Sequence, residues 1–325
     1  MQCAFRGLAG LGLASLLLLG QGCSSPPDDW SGAKGNQKKV LASFAPLYSL
    51  AHAIAGDDAH VLCVLTTTGP HDYQASPTDA VKFKRADLAL CIGLGFDERF
   101  MNRLKDSAYN KNLEVFEIGE VLDHHQLLHM EHGAGHEGHN HKHGEHDPHI
   151  WLGPRQAIAL VKHIAAKLGQ IDPAHKKSYD ERAVKLAAEL NQLHQDGMKA
   201  FEGKKNKRLV TMHESLNYFA KAFELEIVGS IQFRPGEEVS APRLAELVKL
   251  CQEKNVGVIA IEPQYSKSAA ETLQKELQRK GLSVQLVEID PLETAPRVDG
   301  SLNPDPAFYL RNLRQNVERL AKAMP

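Results

Sequence analysis

Histidine dominates the chemistry that this sequence can offer, with 17 imidazoles in 325 residues. Nine of them, His124, His125, His129, His132, His136, His139, His141, His143 and His146, crowd into residues 123–147. That stretch also holds four glycines and has no large apolar residue after Met130. It cannot bury enough surface to offset the entropy of ordering, so a mobile His-rich loop is expected. Neutral imidazole ligates zinc, copper and nickel. Several imidazoles on a mobile loop can share one ion, but each arrangement costs loop entropy, so binding there should be weak, multiple and exchangeable. Below about pH 6.5 the rings charge and should release metal. The competing reading is a low-complexity insertion with no role.

Four further residues have the makings of an ordered site. His71 lies in Gly69-Pro70-His71-Asp72-Tyr73, His149 in Asp147-Pro148-His149-Ile150-Trp151, His213 in Thr211-Met212-His213-Glu214, and Asp290 in Glu288-Ile289-Asp290-Pro291. Three imidazoles and a carboxylate form a four-coordinate set suited to Zn²⁺. Pro70, Pro148 and Pro291 stiffen the backbone beside three of them. Taken singly, each histidine is more often a capping or core residue, and the shared placement is what argues for a site. Glu262, before Pro263, could orient a ligating imidazole from behind or be a plain strand-end carboxylate. Asp72 and Glu214 adjoin the histidines and rank below the four.

The elements that must position these residues alternate between short apolar runs and longer amphipathic ones. Residues 40–44, 61–65, 88–92 and 113–116 read as strands, with helices at 47–55, 77–85 and 97–107 between them. The pattern restarts in the second half, with strands at 209–211, 227–230, 258–261 and 284–287 and helices at 214–223, 242–254, 266–280 and 306–323. Ser240 is a good N-cap with Pro242 in the first turn. Such alternation predicts an α/β fold, each half a mainly parallel four-stranded sheet covered by helices. Between the halves, Ala183, Leu186, Ala187, Leu190 and Leu193 follow helical apolar spacing. A helix from Asp172-Pro173 to about Phe201 would run about 43 Å, holding two lobes at nearly fixed separation. The organisation expected is an N-terminal lobe over 39–171, a linking helix over 172–202 and a C-terminal lobe over 203–325. The four candidate ligands then fall beyond the carboxyl ends of strands, facing a shared cleft, where open α/β sheets bind ligands.

The amino terminus carries Arg6, an apolar run from Leu8 to Leu19, and Gly20-Gln21-Gly22 before Cys23. The run is about half of what a bilayer span needs and reads as an export signal over 1–22. Cys23 would be the lipidated first residue of a mature chain whose residues 23–38 form a flexible linker. Gly20, where such signals usually carry Leu, leaves cleavage by the ordinary signal peptidase open. Cys63, Cys91 and Cys251 remain; the first two sit in strand-like runs and read as buried small hydrophobes rather than a disulfide. A formal net charge of −2 gives no basic surface for nucleic acid. No His-Glu-x-x-His, Gly-x-Ser-x-Gly or phosphate loop points to an enzyme.

The ordered set of motifs resembles the metal-binding solute-binding proteins of ABC transporters, and in particular the zinc-uptake members. The resemblance rests on residues 69–73, on Ala86-Asp87-Leu88 leading to Gly93-Leu94-Gly95-Phe96-Asp97, on residues 147–151, on His213-Glu214 with Tyr218-Phe219-Ala220, and on Glu262-Pro263-Gln264. It implies two β/α lobes joined by a long backbone helix with the metal between them, and ligand roles for His71, His149 and His213. Manganese members commonly carry Glu at the third position, so His213 favours zinc. Asp290 matches the fourth position less surely, because some zinc members use water or another carboxylate there. The resemblance further implies a carrier that captures Zn²⁺ and hands it to an ABC permease and its ATPase, with the His-rich loop as collector or sensor; taken with the amino terminus, the expectation is an exported, lipid-anchored monomer. A manganese or iron carrier on the same scaffold, a secreted zinc hydrolase, and a surface adhesin or metal buffer are the alternatives.

Overall fold

The computed structural model describes residues 30–76, 79–130 and 146–325. The expected signal segment, Cys23, and His132, His136, His139, His141 and His143 lie outside the described residues.

Two four-stranded sheets, each wholly parallel, form the frame. The first contains β1 (Lys38–Ala42), β2 (Ala59–Cys63), β3 (Leu88–Cys91) and β4 (Glu114–Glu117) in the order β2-β1-β3-β4. The second contains β5 (Arg208–Thr211), β6 (Glu226–Ser230), β7 (Val258–Ile261) and β8 (Gln285–Glu288) in the order β6-β5-β7-β8. Val40 pairs with Val61 on one side and Leu88 on the other. β3 and β7 are continuous apolar runs because both of their faces are covered, and all four residues of β3 are buried, whereas the edge strands β4 and β8 carry glutamates.

The helices are α1 (Ala45–Ala55), the short α2 (Ala80–Phe83), α3 (Glu98–Ser107), α4 (Pro154–Ile171), α5 (Lys176–Phe201), α6 (Asn217–Ala222), α7 (Ala241–Lys254), α8 (Ser268–Arg279) and α9 (Phe308–Ala323). Ser240 caps α7 by accepting the Arg243 amide, and Asn255 ends it in the left-handed region at φ 51°. The long helix begins later than its sequence suggests. Residues 173–175 form a 3₁₀ turn, and the Asp172 side chain is taken by the Tyr179 hydroxyl (2.7 Å) and His175 Nδ1 (2.8 Å) instead of capping the backbone. From Lys176 the helix runs 26 residues and buries Tyr179, Ala183, Leu186, Leu190, Leu193, Gly197 and Phe201 along one stripe. Gly197 is required there, since a Cβ would stand 2.3 Å from the Phe223 ring.

The stripe of α5 packs on α4 and α9, and α9 also reaches α1 and β8. The C-terminal helix therefore ties the second sheet to the first half of the chain. One buried apolar cluster runs from the first sheet through these helices to Val258 and Ala260, while Val210, Ile259, Leu247 and Leu273 form a smaller cluster on the opposite face of the second sheet. The period-2 alternation of Leu209/Val210 and Val258/Ile259 splits these strands between the two clusters. Upstream, the expected linker is anchored from Trp30 onward: its indole is buried and donates to the Lys82 carbonyl at 2.9 Å. Cys63, Cys91 and Cys251 are free, buried thiols.

Candidate metal centre

The carboxyl ends of the strands deliver the site. His71 follows β2, His213 lies two residues beyond β5, Glu262 directly follows β7, and the segment after β8 carries Asp290 and Glu293. His149 stands just before the 3₁₀ turn Ile150–Leu152 that leads into α4.

His71, His149, His213 and Glu293 each offer one donor atom, all within 4.8 Å of one another, and among the described residues this is the one such group of three or more. The three Nε2 atoms lie 3.5, 3.6 and 3.7 Å from a single oxygen, Glu293 Oε1. These separations are long for hydrogen bonds. They suit donors arranged about a shared ion, since tetrahedral Zn–N and Zn–O bonds near 2.1 Å put ligand atoms about 3.4 Å apart. His149 Nε2, His213 Nε2 and both Glu293 oxygens are buried without a hydrogen-bond partner. Each such orphan costs about 1–3 kcal/mol, and a cation among them would satisfy the Nε2 atoms and a carboxylate oxygen together. His71, with 26% of its side chain exposed, forms the open side.

Carboxylates behind the rings set their orientation. Asp147 Oδ1 meets His149 Nδ1 at 2.7 Å and also accepts the His149 amide at 2.9 Å. Glu262 Oε1 lies 2.8 Å from His213 Nδ1, in ion-pair range although off line for a hydrogen bond. Glu262 is itself held by Ser215 and Gln264, each at 3.3 Å. Phe96 packs edge-on against His71 and His149, with centroids 5.0 and 5.8 Å apart. Its loop turns through Gly93, Leu94 and Gly95, all at positive φ, and is tied down by buried Asp97, which accepts from Ser43 Oγ and the Ile92 and Gly93 amides.

Burial pushes the His149 imidazole down, but Asp147 and then Glu293 outweigh it and raise it to about 9. Burial likewise opposes a charge on His213, and Glu262 with Glu293 raises it to about 10. Glu293 is held well below the usual carboxylate range: burial would raise it, and the three histidines override that. Without a cation, protons sit where the cation's charge would be.

Asp290 is not among the converging donors. Its Oδ1 accepts the Leu292 amide at 2.8 Å, and its own backbone is clamped by Asn316, which donates to its carbonyl at 2.6 Å and accepts its amide at 3.0 Å. Burial raises its carboxyl to about 6. Leu292, fully buried, sits at φ 65°, a conformation that costs a leucine about 1–2 kcal/mol. The turn braced by Asp290 carries the chain into the pocket three residues later, at Glu293. Trp151 staples the same turn, its Nε1 donating to the Pro291 carbonyl at 2.8 Å. The sequence pattern singled out Asp290, three residues beyond the expected strand, and Glu293, three residues further on, was not among the expected ligands. Asp147 was missed as well, although an aspartate two residues before a candidate ligand was a usable signal. Glu262 lies behind His213, where a second-layer carboxylate was expected.

Of the His-rich stretch, His124 and His125 are exposed on a 3₁₀ turn. His129 and His146 face each other across an antiparallel bridge, their ring centroids 4.8 Å apart, and Asp147 N donates to the Leu128 carbonyl at 2.8 Å. These ring contacts lie apart from the four converging donors.

Two parallel-sheet lobes on shared helices, with a preformed pocket of nitrogen and oxygen donors at the strand ends, define a class of divalent-cation-binding protein. The profile of the family described as zinc-uptake complex component A, periplasmic (ZnuA), matches residues 40–323, and the chain belongs to that family of uptake-complex components. The zinc-binding lipoprotein AdcA of Streptococcus pneumoniae is 30% identical over 302 residues, covering 89% of this chain. The chain spans only 57% of that relative's length. The high-affinity zinc uptake system protein ZnuA of Bacillus subtilis is 28% identical over 96% of each chain. The Zn(II)-bound structure of an AdcAII variant from S. pneumoniae superposes with a TM-score of 0.73 at 27% identity, covering 90% of this chain and all of that one.

Proposed function

We propose that this protein is the zinc-capturing component of an ABC importer, binding Zn²⁺ outside the cytoplasmic membrane and passing it to a permease driven by its ATPase. The observation that carries the reading is the convergence of His71, His149 and His213 Nε2 on Glu293 Oε1, with the buried Nε2 atoms and the carboxylate oxygens lacking a hydrogen-bond partner. Zn²⁺ is the cargo in this reading. The three imidazoles and Glu293 replace its waters, while Asp147 and Glu262 hold two of the rings from behind. A donor set of three nitrogens and one oxygen suits zinc better than manganese, which favours oxygen-rich ligation. The relatives named for zinc binding and zinc uptake support the same cargo.

The His-rich stretch serves as a weak, exchangeable collector, its neck at the His129–His146 bridge, where His146 immediately precedes Asp147 and stands three residues before His149. Lipidation at Cys23 after removal of residues 1–22 keeps the monomeric carrier at the membrane. Calorimetry on the mature protein tests the reading: one tight zinc site is expected, weakened by orders of magnitude in His71→Ala, His149→Ala and His213→Ala. Near-native affinity in all three variants would rule it out.

A further inference from the structure

The space in front of the metal centre is much larger than an ion requires. A cleft of about 620 Å³ opens from His71, His149 and His213, within the range of pockets that take organic ligands, about 300–1,000 Å³. Its walls also carry three guanidinium groups. Arg99 and Arg103 stand one helical turn apart on α3, from the first half of the chain, and Arg234 comes from the loop after β6 in the second. All three are exposed, and among the described residues the ion pairs of the arginines involve Arg182, Arg208, Arg243, Arg279, Arg311 and Arg319 but neither Arg103 nor Arg234. Two carboxylates, Asp72 and Glu214, line the same cleft, and Asp72 accepts from the Tyr265 hydroxyl at 3.3 Å.

The Arg234 loop is built rather than slack. Its amide donates to Glu237 Oε2, and Gln232 binds both the Glu237 carbonyl (2.7 Å) and the Gly236 amide (3.3 Å). Phe233, half exposed in the cleft wall, has the Arg243 guanidinium 4.5 Å from its ring centroid.

Guanidinium groups on both sides of an entrance repel a bare dication and attract an anion, and their planar forks match carboxylates. We infer that the cleft in front of the metal centre recognises a small anionic carboxylate chelate of zinc, such as zinc citrate, with Arg103 and Arg234 binding the carrier's carboxylates while the ion passes to the histidines. The inference rests on the proposed zinc-binding role of the site. The aromatic and apolar walls, Tyr73, Phe96, Phe100 and Phe233, fit the carbon skeleton of such a carrier better than a shell of water.

The sign of a charge reversal separates the two kinds of cargo. Stopped-flow capture would be measured with zinc citrate and with aquo zinc, on the wild-type protein, the Arg103→Glu/Arg234→Glu variant and the Arg103→Lys/Arg234→Lys variant. Capture from zinc citrate should slow at least ten-fold in the glutamate variant and recover in part in the lysine variant, which keeps the charge without the planar fork. Capture of aquo zinc should stay equal or quicken. Equal slowing with both cargoes, or no change with either, would overturn the inference while leaving the zinc site standing. A wild-type protein that binds zinc from neither source would remove the functional reading itself.

Discussion

Asp147 Oδ1 and His149 Nδ1 stand 2.7 Å apart, and that contact points the opposite nitrogen of the ring at Glu293. The same carboxylate is reached from the second half of the chain, where Asn217 donates to Oδ2 at 3.0 Å. Asp147 therefore determines where His149 can look. Removing such an orienting partner commonly costs 10–100-fold in metal affinity. Asp147→Ala should weaken zinc binding by about that factor with little change in the far-ultraviolet circular dichroism. Asp147→Asn, which keeps an acceptor for the Nδ1 hydrogen, should recover part of it. Wild-type affinity in the alanine variant would show that packing alone orients the ring.

Glu293 and Asp290 are separable by mutation. Glu293→Ala deletes a donor and leaves three imidazoles without their shared counter-charge, so zinc affinity should fall by at least about 100-fold. Asp290→Ala removes the acceptor for the Leu292 amide, a bond worth about 1–3 kcal/mol because the acceptor is charged or nearly so. Its main effect should be a lower melting temperature, with a smaller loss of affinity transmitted through the turn. If Asp290→Ala weakened zinc as much as Glu293→Ala did, the assignment of the fourth donor would have to be reversed.

That pair also marks the limit of what can be read from residues alone. The histidines at 71 and 213 stood out as candidates because each follows a break after an apolar run, and β-α alternation sends such breaks to one edge of a parallel sheet; His149, which follows no strand and leads into α4, stood out through Asp147-Pro148 beside it and through the ordered motif set. The fourth position was not legible, because choosing between Asp290 and Glu293 depends on Leu292 adopting φ 65°. Leucine rarely takes that conformation, and only the buried environment and the Asp290 bond enforce it. The later start of the long helix has the same kind of cause: Asp172 had the right type for a cap, but Tyr179 and His175 compete for its oxygens. The packing of α9 across both halves depends on distant partners that no local pattern encodes.

Proton release provides an independent check on the pocket's electrostatics. With His149 raised to about 9 and His213 to about 10, both rings carry protons at pH 7.5 in the zinc-free protein, and zinc must displace them. Affinity should therefore rise with pH up to about 10 and fall on acidification. Calorimetry at pH 7.5 in two buffers of different ionisation enthalpy should report about two protons released per ion. The zinc-free fold should respond in the opposite sense. Stabilisation from the charged imidazoles is complete below their unfolded value of about 6.5 and is lost as pH rises through 9 and 10. That from Glu293, whose folded value is depressed, is present above about 4.5 and is lost as pH falls further. Proton release near zero would mean that the rings are already neutral before the ion arrives.

Asp97 tests whether the pocket depends on the loop that floors it. The carboxylate is fully buried, burial pushes it up to about 7, and its three donors, Ser43 Oγ and the Ile92 and Gly93 amides, pull the other way. These bonds hold the turn in which Gly93, Leu94 and Gly95 all take positive φ, and the turn sets Phe96 against His71 and His149. Asp97→Ala strands two buried amides and a hydroxyl, each worth about 1–3 kcal/mol, so the variant should lose several kcal/mol in urea unfolding. Bound zinc stabilises only the folded state. Saturating zinc should therefore restore part of the lost stability, while the affinity falls because Phe96 no longer buttresses the two rings. An Asp97→Ala protein as stable as wild type, with unchanged zinc affinity, would show that the glycine turn holds its shape without the carboxylate.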